Sequence, residues 1–165
     1  MRRLIIALAG VLILIVANVG IYQKQRLVDS GRVVLLELAP VDPRSLMQGD
    51  YMALRFRVAD AAFSSVDRDT LQDGRLVLTV DERNVAKFTR FDSGGPLGPG
   101  EIVIRYRVRD NTPKFATNAF FFEEGTADAY ARARFGEFRV SPSGDAILVT
   151  MRGEKLEVLG PFEQR

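Results

Sequence analysis

Nineteen consecutive uncharged residues, Leu4 to Tyr22 (LIIALAGVLILIVANVGIY), constrain this chain more than any other feature of it. As an α-helix at about 1.5 Å per residue the stretch reaches roughly 28 Å, close to the hydrocarbon thickness of a bilayer. Only Asn18 within it is strongly polar. Arg2 and Arg3 precede it, and Tyr22, Lys24 and Arg26 follow, where headgroups would lie. A cleaved signal peptide would carry a shorter apolar region ending at an Ala-x-Ala-like site. Ala17-Asn18-Val19-Gly20 is a poor site of that kind, so an uncleaved anchor is expected. Lys and Arg are nearly balanced on the two sides of the span. A short basic N-terminus before a first apolar segment is the usual signal-anchor arrangement, which leaves the C-terminal part outside the cytoplasm. The expected organisation is an anchor at 1–22, a polar stem at 23–31 and one β-rich domain at 32–165.

What remains after the anchor, about 140 residues, suffices for one domain with a real core. The formal charge is +2, which Arg2 and Arg3 account for; the rest of the chain is balanced. That balance argues against a nucleic-acid partner, which calls for a net basic footprint. The chain has no Cys and no His. Disulfides, thiolate metal sites and thiol nucleophiles are therefore excluded, as is the commonest general base. No cofactor is expected, and no metal: an oxygen-only site would need several ligands in a compact loop, and no Asp-x-Asp-x-Asp-Gly pattern occurs.

Beyond the stem, short alternating segments separated by turn residues predict a mainly β domain, an antiparallel sandwich or barrel-like fold with one short helix. Strands are expected at Arg32–Ala39, Tyr51–Val58, Arg75–Asp81, Val85–Phe91, Ile102–Arg109, Ala119–Glu123, Glu137–Val140 and Ala146–Met151, with a last edge strand at Lys155–Leu159. Glu82-Arg83-Asn84 and Ser141-Pro142-Ser143-Gly144 read as hairpin turns. Thr126–Arg134 reads as the helix, with Thr126 as its N-cap. Two segments echo each other: Leu54-Arg55-Phe56-Arg57-Val58-Ala59-Asp60 and Ile104-Arg105-Tyr106-Arg107-Val108-Arg109-Asp110. Either two similar β-units or generic strand patterning explains this.

The most distinctive stretch runs from Pro43 through Gly49-Asp50-Tyr51-Met52-Ala53-Leu54-Arg55-Phe56. Pro43 and Gly49 suit a turn, Asp50 can accept a nearby backbone N–H, and Tyr51 enters a strand. Gly49 to Phe56 resembles the signature of the bacterial GDYXXLXY family, with Phe56 in place of the final Tyr. The block Phe121 to Val140, and its continuation through Gly144 to Leu148, is similar to that family as well. The resemblance implies a membrane-associated bacterial protein without an assigned activity, some members resembling accessory parts of multi-span membrane proteins. It therefore implies a single-pass protein of the bacterial inner membrane, with lipid around residues 4–22 and an integral membrane protein as partner.

The anchor and the Pro-x-x-Leu-x-x-Gly-Asp pattern are also similar to type I signal peptidases. Their nucleophilic Ser lies three residues before that Pro, where this chain has Pro40, so that chemistry lacks its nucleophile. Carboxylates are the other enzymatic option. Asp50 with Glu123 or Glu124, and Glu137 besides, can do acid–base work only if they converge. Arg55/Arg57 and Arg105/Arg107/Arg109 suit either anionic headgroups or an acidic partner, or simply guard against edge pairing. Phe115 and Phe120-Phe121-Phe122 read as core, and an exposed ring among them would mark a contact surface. The expected function is a binding or assembly module without chemistry of its own, its surface formed by Asp50, Tyr51, Glu123 and Glu124. The alternative is a hydrolase using Asp50 with Glu123 or Glu124.

Overall fold

The computed structural model describes residues 2–39, 47–48, 51–67, 70–109, 111–117 and 119–160; for residues 2–7 and 47–48 it describes the backbone alone. Asp50 lies outside the described residues. A continuous helix, α1 (Arg2–Ser30), contains the apolar stretch and carries on through the polar residues after it. Among the described residues it is the one helix long and apolar enough to cross a membrane, and its apolar part from Leu8 onward is exposed.

The strands are β1 (Arg32–Glu37), β2 (Met47–Gln48), β3 (Tyr51–Ala53), β4 (Gly74–Val80), β5 (Ala86–Phe91), β6 (Glu101–Arg109), β7 (Thr112–Lys114), β8 (Ala119–Phe121), β9 (Phe135–Val140) and β10 (Ala146–Arg152). Two short helices accompany them, α2 (Arg57–Phe63) and α3 (Ala127–Tyr130). The strands form three antiparallel sheets in the orders β1-β9-β10, β2-β3-β8 and β5-β4-β6-β7. The sheets are stitched to one another. Leu35 bridges Val85, Leu38 bridges Phe56, and the Arg105 N–H donates to the Gly144 carbonyl at 2.8 Å. The last contact lays the β9–β10 turn against β6. Gly144 (φ +88°) makes that approach possible, since a Cβ there would sit 3.0 Å from Val103.

The alternation read in the sequence drives this arrangement. Val34 and Leu36 of β1, Leu76 and Leu78 of β4, Ile102, Ile104 and Tyr106 of β6, and Phe138 and Val140 of β9 all point into one core. Phe56 sits at its centre, edge-on to Phe138 at 5.4 Å and to Phe115 at 6.5 Å. Burying one such ring contributes about 1.5–3 kcal/mol. On the other side of the first sheet Glu137 is buried, bonded to Arg152 Nε at 2.5 Å and 3.6 Å from Arg139 Nη2. Arg152 also donates to the Leu156 carbonyl, at 2.6 Å. This charge cluster holds the C-terminal turn against β10.

Several expectations need correction. The strand expected over Tyr51–Val58 stops at Ala53, and Arg57–Phe63 is helical. After Phe56 the apolar spacing changes from two to four: Val58 and Ala62 are buried on one face of α2. Three alanines and Asp60 in the first turn favour that helix. Among the described residues there are thus two short helices besides α1, where one was expected. The helix expected at Thr126–Arg134 is confined to α3, and Thr126, at its N-cap, donates its hydroxyl to the Glu123 carbonyl instead of capping. Lys155–Leu159 contributes a single bridge, Val158 to Arg152, on a turn. β7 was not expected, because Pro113 at its middle argues against a strand. It survives as an edge, where the missing N–H is not needed.

Candidate functional site

The small sheet β2-β3-β8 separates its residues cleanly by face. Met52 pairs with Phe120, and both face the core. Tyr51 pairs with Phe121 and Ala53 with Ala119, on the opposite face. Phe121 is 73% exposed there, its ring 5.7 Å from that of Tyr51. Phe120 and Phe122 instead pack on Tyr130, at 5.0 and 5.4 Å between centroids. The aromatic run, read in the sequence as core, is therefore split by strand alternation, with Phe121 alone turned outward. Period-two reading of Ala119 to Phe122 signals this, once β8 is known to be a strand.

Glu123 and Glu124 follow one residue after β8 and are both exposed. The Glu123 carbonyl accepts hydrogen bonds from the Thr126 N–H at 3.1 Å and from its hydroxyl at 2.6 Å, which tightens the turn. Burial, reinforced by the charge of Glu123, pushes the Tyr130 phenol above its ordinary range. Tyr51, Phe121 and the two glutamates are thus brought together at one end of the small sheet by β3–β8 pairing and the turn after β8. The structure does not place Asp50 relative to them. Glu137 does not join this group, being enclosed by Arg139 and Arg152 between β1 and β10. Among the described residues no three acidic side chains gather as metal ligands would.

The strand arginines find carboxylates other than Glu123 and Glu124. Arg55 pairs with Asp60 at 2.8 Å, Arg57 with Glu37 at 3.1 Å, and Arg105 with Asp145 at 3.0 Å. A cavity of about 450 Å³ lies between α2 and β7, floored by Leu54, Phe56, Phe63 and Phe115, with Arg55 and Asp60 at its rim.

Fold and surface together define a class: a β domain on one helix of membrane-spanning length, with an outward aromatic pair and neither thiol nor imidazole. The chain belongs to the GDYXXLXY family, whose family model, described as GDYXXLXY protein, matches residues 13–151. No curated protein matches it. No solved structure matches it either. The family motif divides along the faces of the fold. Leu54 and Phe56 are each 2% exposed and belong to the core, whereas Tyr51 looks outward. At Phe56 the packing uses the ring; a hydroxyl there would need a partner among Phe115 and Phe138.

Proposed function

We propose that this protein is a bitopic protein of the bacterial inner membrane, with its β domain outside the cytoplasm, acting as a binding or assembly module for a larger integral membrane protein. On this reading it performs no chemistry of its own. The observation that carries the proposal is the outward Phe121 ring beside Tyr51. The two rings make an aromatic pair with Phe121 largely exposed, and aromatic residues dominate the energetics of docking surfaces. Glu123 and Glu124, at the end of the same strand, supply a polar rim. Membership of the family and the apolar helix support the membrane setting; the short basic N-terminus supports the orientation.

The test is affinity capture of the tagged full-length protein from its native membranes in mild detergent, comparing the natural chain with Phe121→Ser. A stoichiometric multi-span partner, reduced at least about tenfold by the substitution, is the expected result; removing a docking anchor costs about 2 kcal/mol or more. Stability should change by no more than about 0.5 kcal/mol, as for an exposed residue. Unchanged capture by folded Phe121→Ser removes this face from the account. A protein that comes out alone sends attention to carboxylate hydrolysis by Asp50 with Glu123 or Glu124. Because the chain lacks Cys, Ser93→Cys offers a single label site for the orientation. A membrane-impermeant maleimide should modify it in intact spheroplasts, and protection there would reverse the topology.

A further inference from the structure

The outer face of the sheet β5-β4-β6-β7 carries an unusual concentration of positive charge. Arg75 of β4 lies directly opposite Arg105 of β6, and Arg107 of β6 directly opposite Lys114 of β7. Arg109 continues the same row, since alternate residues of a strand share a face about 7 Å apart. Like charges placed directly across a ladder destabilise it. Three of the arginines meet carboxylates. Asp92 meets Arg75 at 2.8 Å, Asp145 meets Arg105 at 3.0 Å, and Asp73 lies 3.6 Å from Arg109. Arg107 is exposed and has no such carboxylate among the described residues.

Edge protection does not account for the row. β6, which bears three of these arginines, is an interior strand between β4 and β7. The free edge beyond it is β7, where Pro113 already removes an N–H. Four arginines, Arg75, Arg105, Arg107 and Arg109, instead line one open concavity of about 370 Å³, with Asp73 as the single acidic residue among those described in its wall. A guanidinium has five N–H donors in a planar fork, so those already paired keep donors to spare. Such a fork matches the oxygens of a phosphate-type group.

We propose that this concavity is an oxyanion site centred on Arg107, with Arg105 and Arg109 at its sides, taking a phosphate group carried by a soluble molecule or by a lipid headgroup. It lies on a different sheet from the Tyr51–Phe121 surface and stands independently of it.

The test uses the full-length protein in phosphatidylcholine nanodiscs at low ionic strength. One arm titrates pyrophosphate by calorimetry; the other measures co-flotation with phosphatidylcholine vesicles containing phosphatidylglycerol. Saturable binding in the first arm identifies a soluble ligand, and in the second a headgroup; either supports the site. In the arm that binds, Arg107→Gln should weaken affinity about tenfold, the worth of one charge-assisted hydrogen-bonded contact. Arg105→Gln with Arg107→Gln should weaken it further, and Arg83→Gln, at the β4–β5 turn, should leave it unchanged. Affinity should also fall as salt rises. An unaltered thermal melt shows that Arg107→Gln is folded. Absence of saturable binding in both arms overturns the proposal, as does binding that folded Arg107→Gln retains in full.

Discussion

Leu54–Asp60 and Ile104–Arg109 start from nearly the same pattern and end in different structures. Both bury alternate residues: Leu54, Phe56 and Val58 in one, Ile104 and Tyr106 in the other. Both set arginines between them. Yet the second is part of a nine-residue strand that β4 pairs up to Tyr106 and β7 pairs from Arg107, while the first is bridged through Phe56 to Leu38, just past β1, and turns into α2. The difference comes from the residues that end each segment and from the strands beside it. Ala59, Ala61 and Ala62 allow a helix to begin, whereas Val108-Arg109 runs into a tight turn at which Asn111 has φ +52°. A strand also needs a neighbour for its N–H and C=O groups, and β4 and β7 supply them only to the second segment. Equal binary patterning thus fixes which side chains are buried, and the available partners decide the backbone.

Substitutions can break or sharpen this contrast. The largest effect is expected at Phe56, where the bridge and the core meet. Phe56→Ala should cost about 3–5 kcal/mol, read from denaturant unfolding of the full-length chain in detergent. A loss below about 1.5 kcal/mol would mean that Phe115 and Phe138 close over the gap. Next comes α2 itself. Ala61 is exposed, so Ala61→Pro probes the helix without emptying the core, and a cost of about 3 kcal/mol is expected. A negligible cost would show that the segment tolerates extended backbone, as its echo does.

The smallest effect is a pH dependence confined to the second segment. Burial, with the nearby Asp73 charge, raises the Tyr106 phenol above its ordinary value. The folded protein therefore keeps the phenol neutral at pH values where the unfolded chain ionises. The stability so gained is complete below the unfolded pKa, near about pH 10, and is lost as pH climbs through the folded value. Each such group steepens the alkaline loss by up to about 1.4 kcal/mol per pH unit within that window. Phe56 occupies the matching place without a hydroxyl, so Tyr106→Phe should flatten the alkaline limb of a stability–pH curve. An unchanged limb would assign the pH dependence to Tyr130.

Much of the architecture is legible in the residue pattern alone. The hairpin of β4 and β5 appears where Glu82-Arg83-Asn84 places it, with Asn84 at φ +63°. β9 and β10 pair over the Ser141–Gly144 turn as expected. α2 escapes notice because Phe56 and Val58 satisfy a strand period, and the helical spacing begins only at Val58 and Ala62. β7 escapes because Pro113 forbids a strand interior but not an edge. Of the candidate surface, Tyr51 is legible from its motif and Glu123 and Glu124 from their position after the aromatic run. Phe121 is only half legible: the expected strand sets it on the face opposite Phe120 and Phe122, and which of the two faces meets water depends on how that strand packs.

By itself the sequence determined a membrane-length apolar helix and a β domain of alternating strands. Both stem from local periodicity, because a lipid-spanning helix and a half-buried strand each impose a pattern within a few residues. Only the tertiary structure decided that Phe121 joins Tyr51 on an outer face, that Glu137 is enclosed by two arginines, and that Arg75, Arg105, Arg107 and Arg109 share one concavity. Those are consequences of strand register between segments far apart in the chain. A slip of one residue in that register would exchange every inward side chain for an outward one.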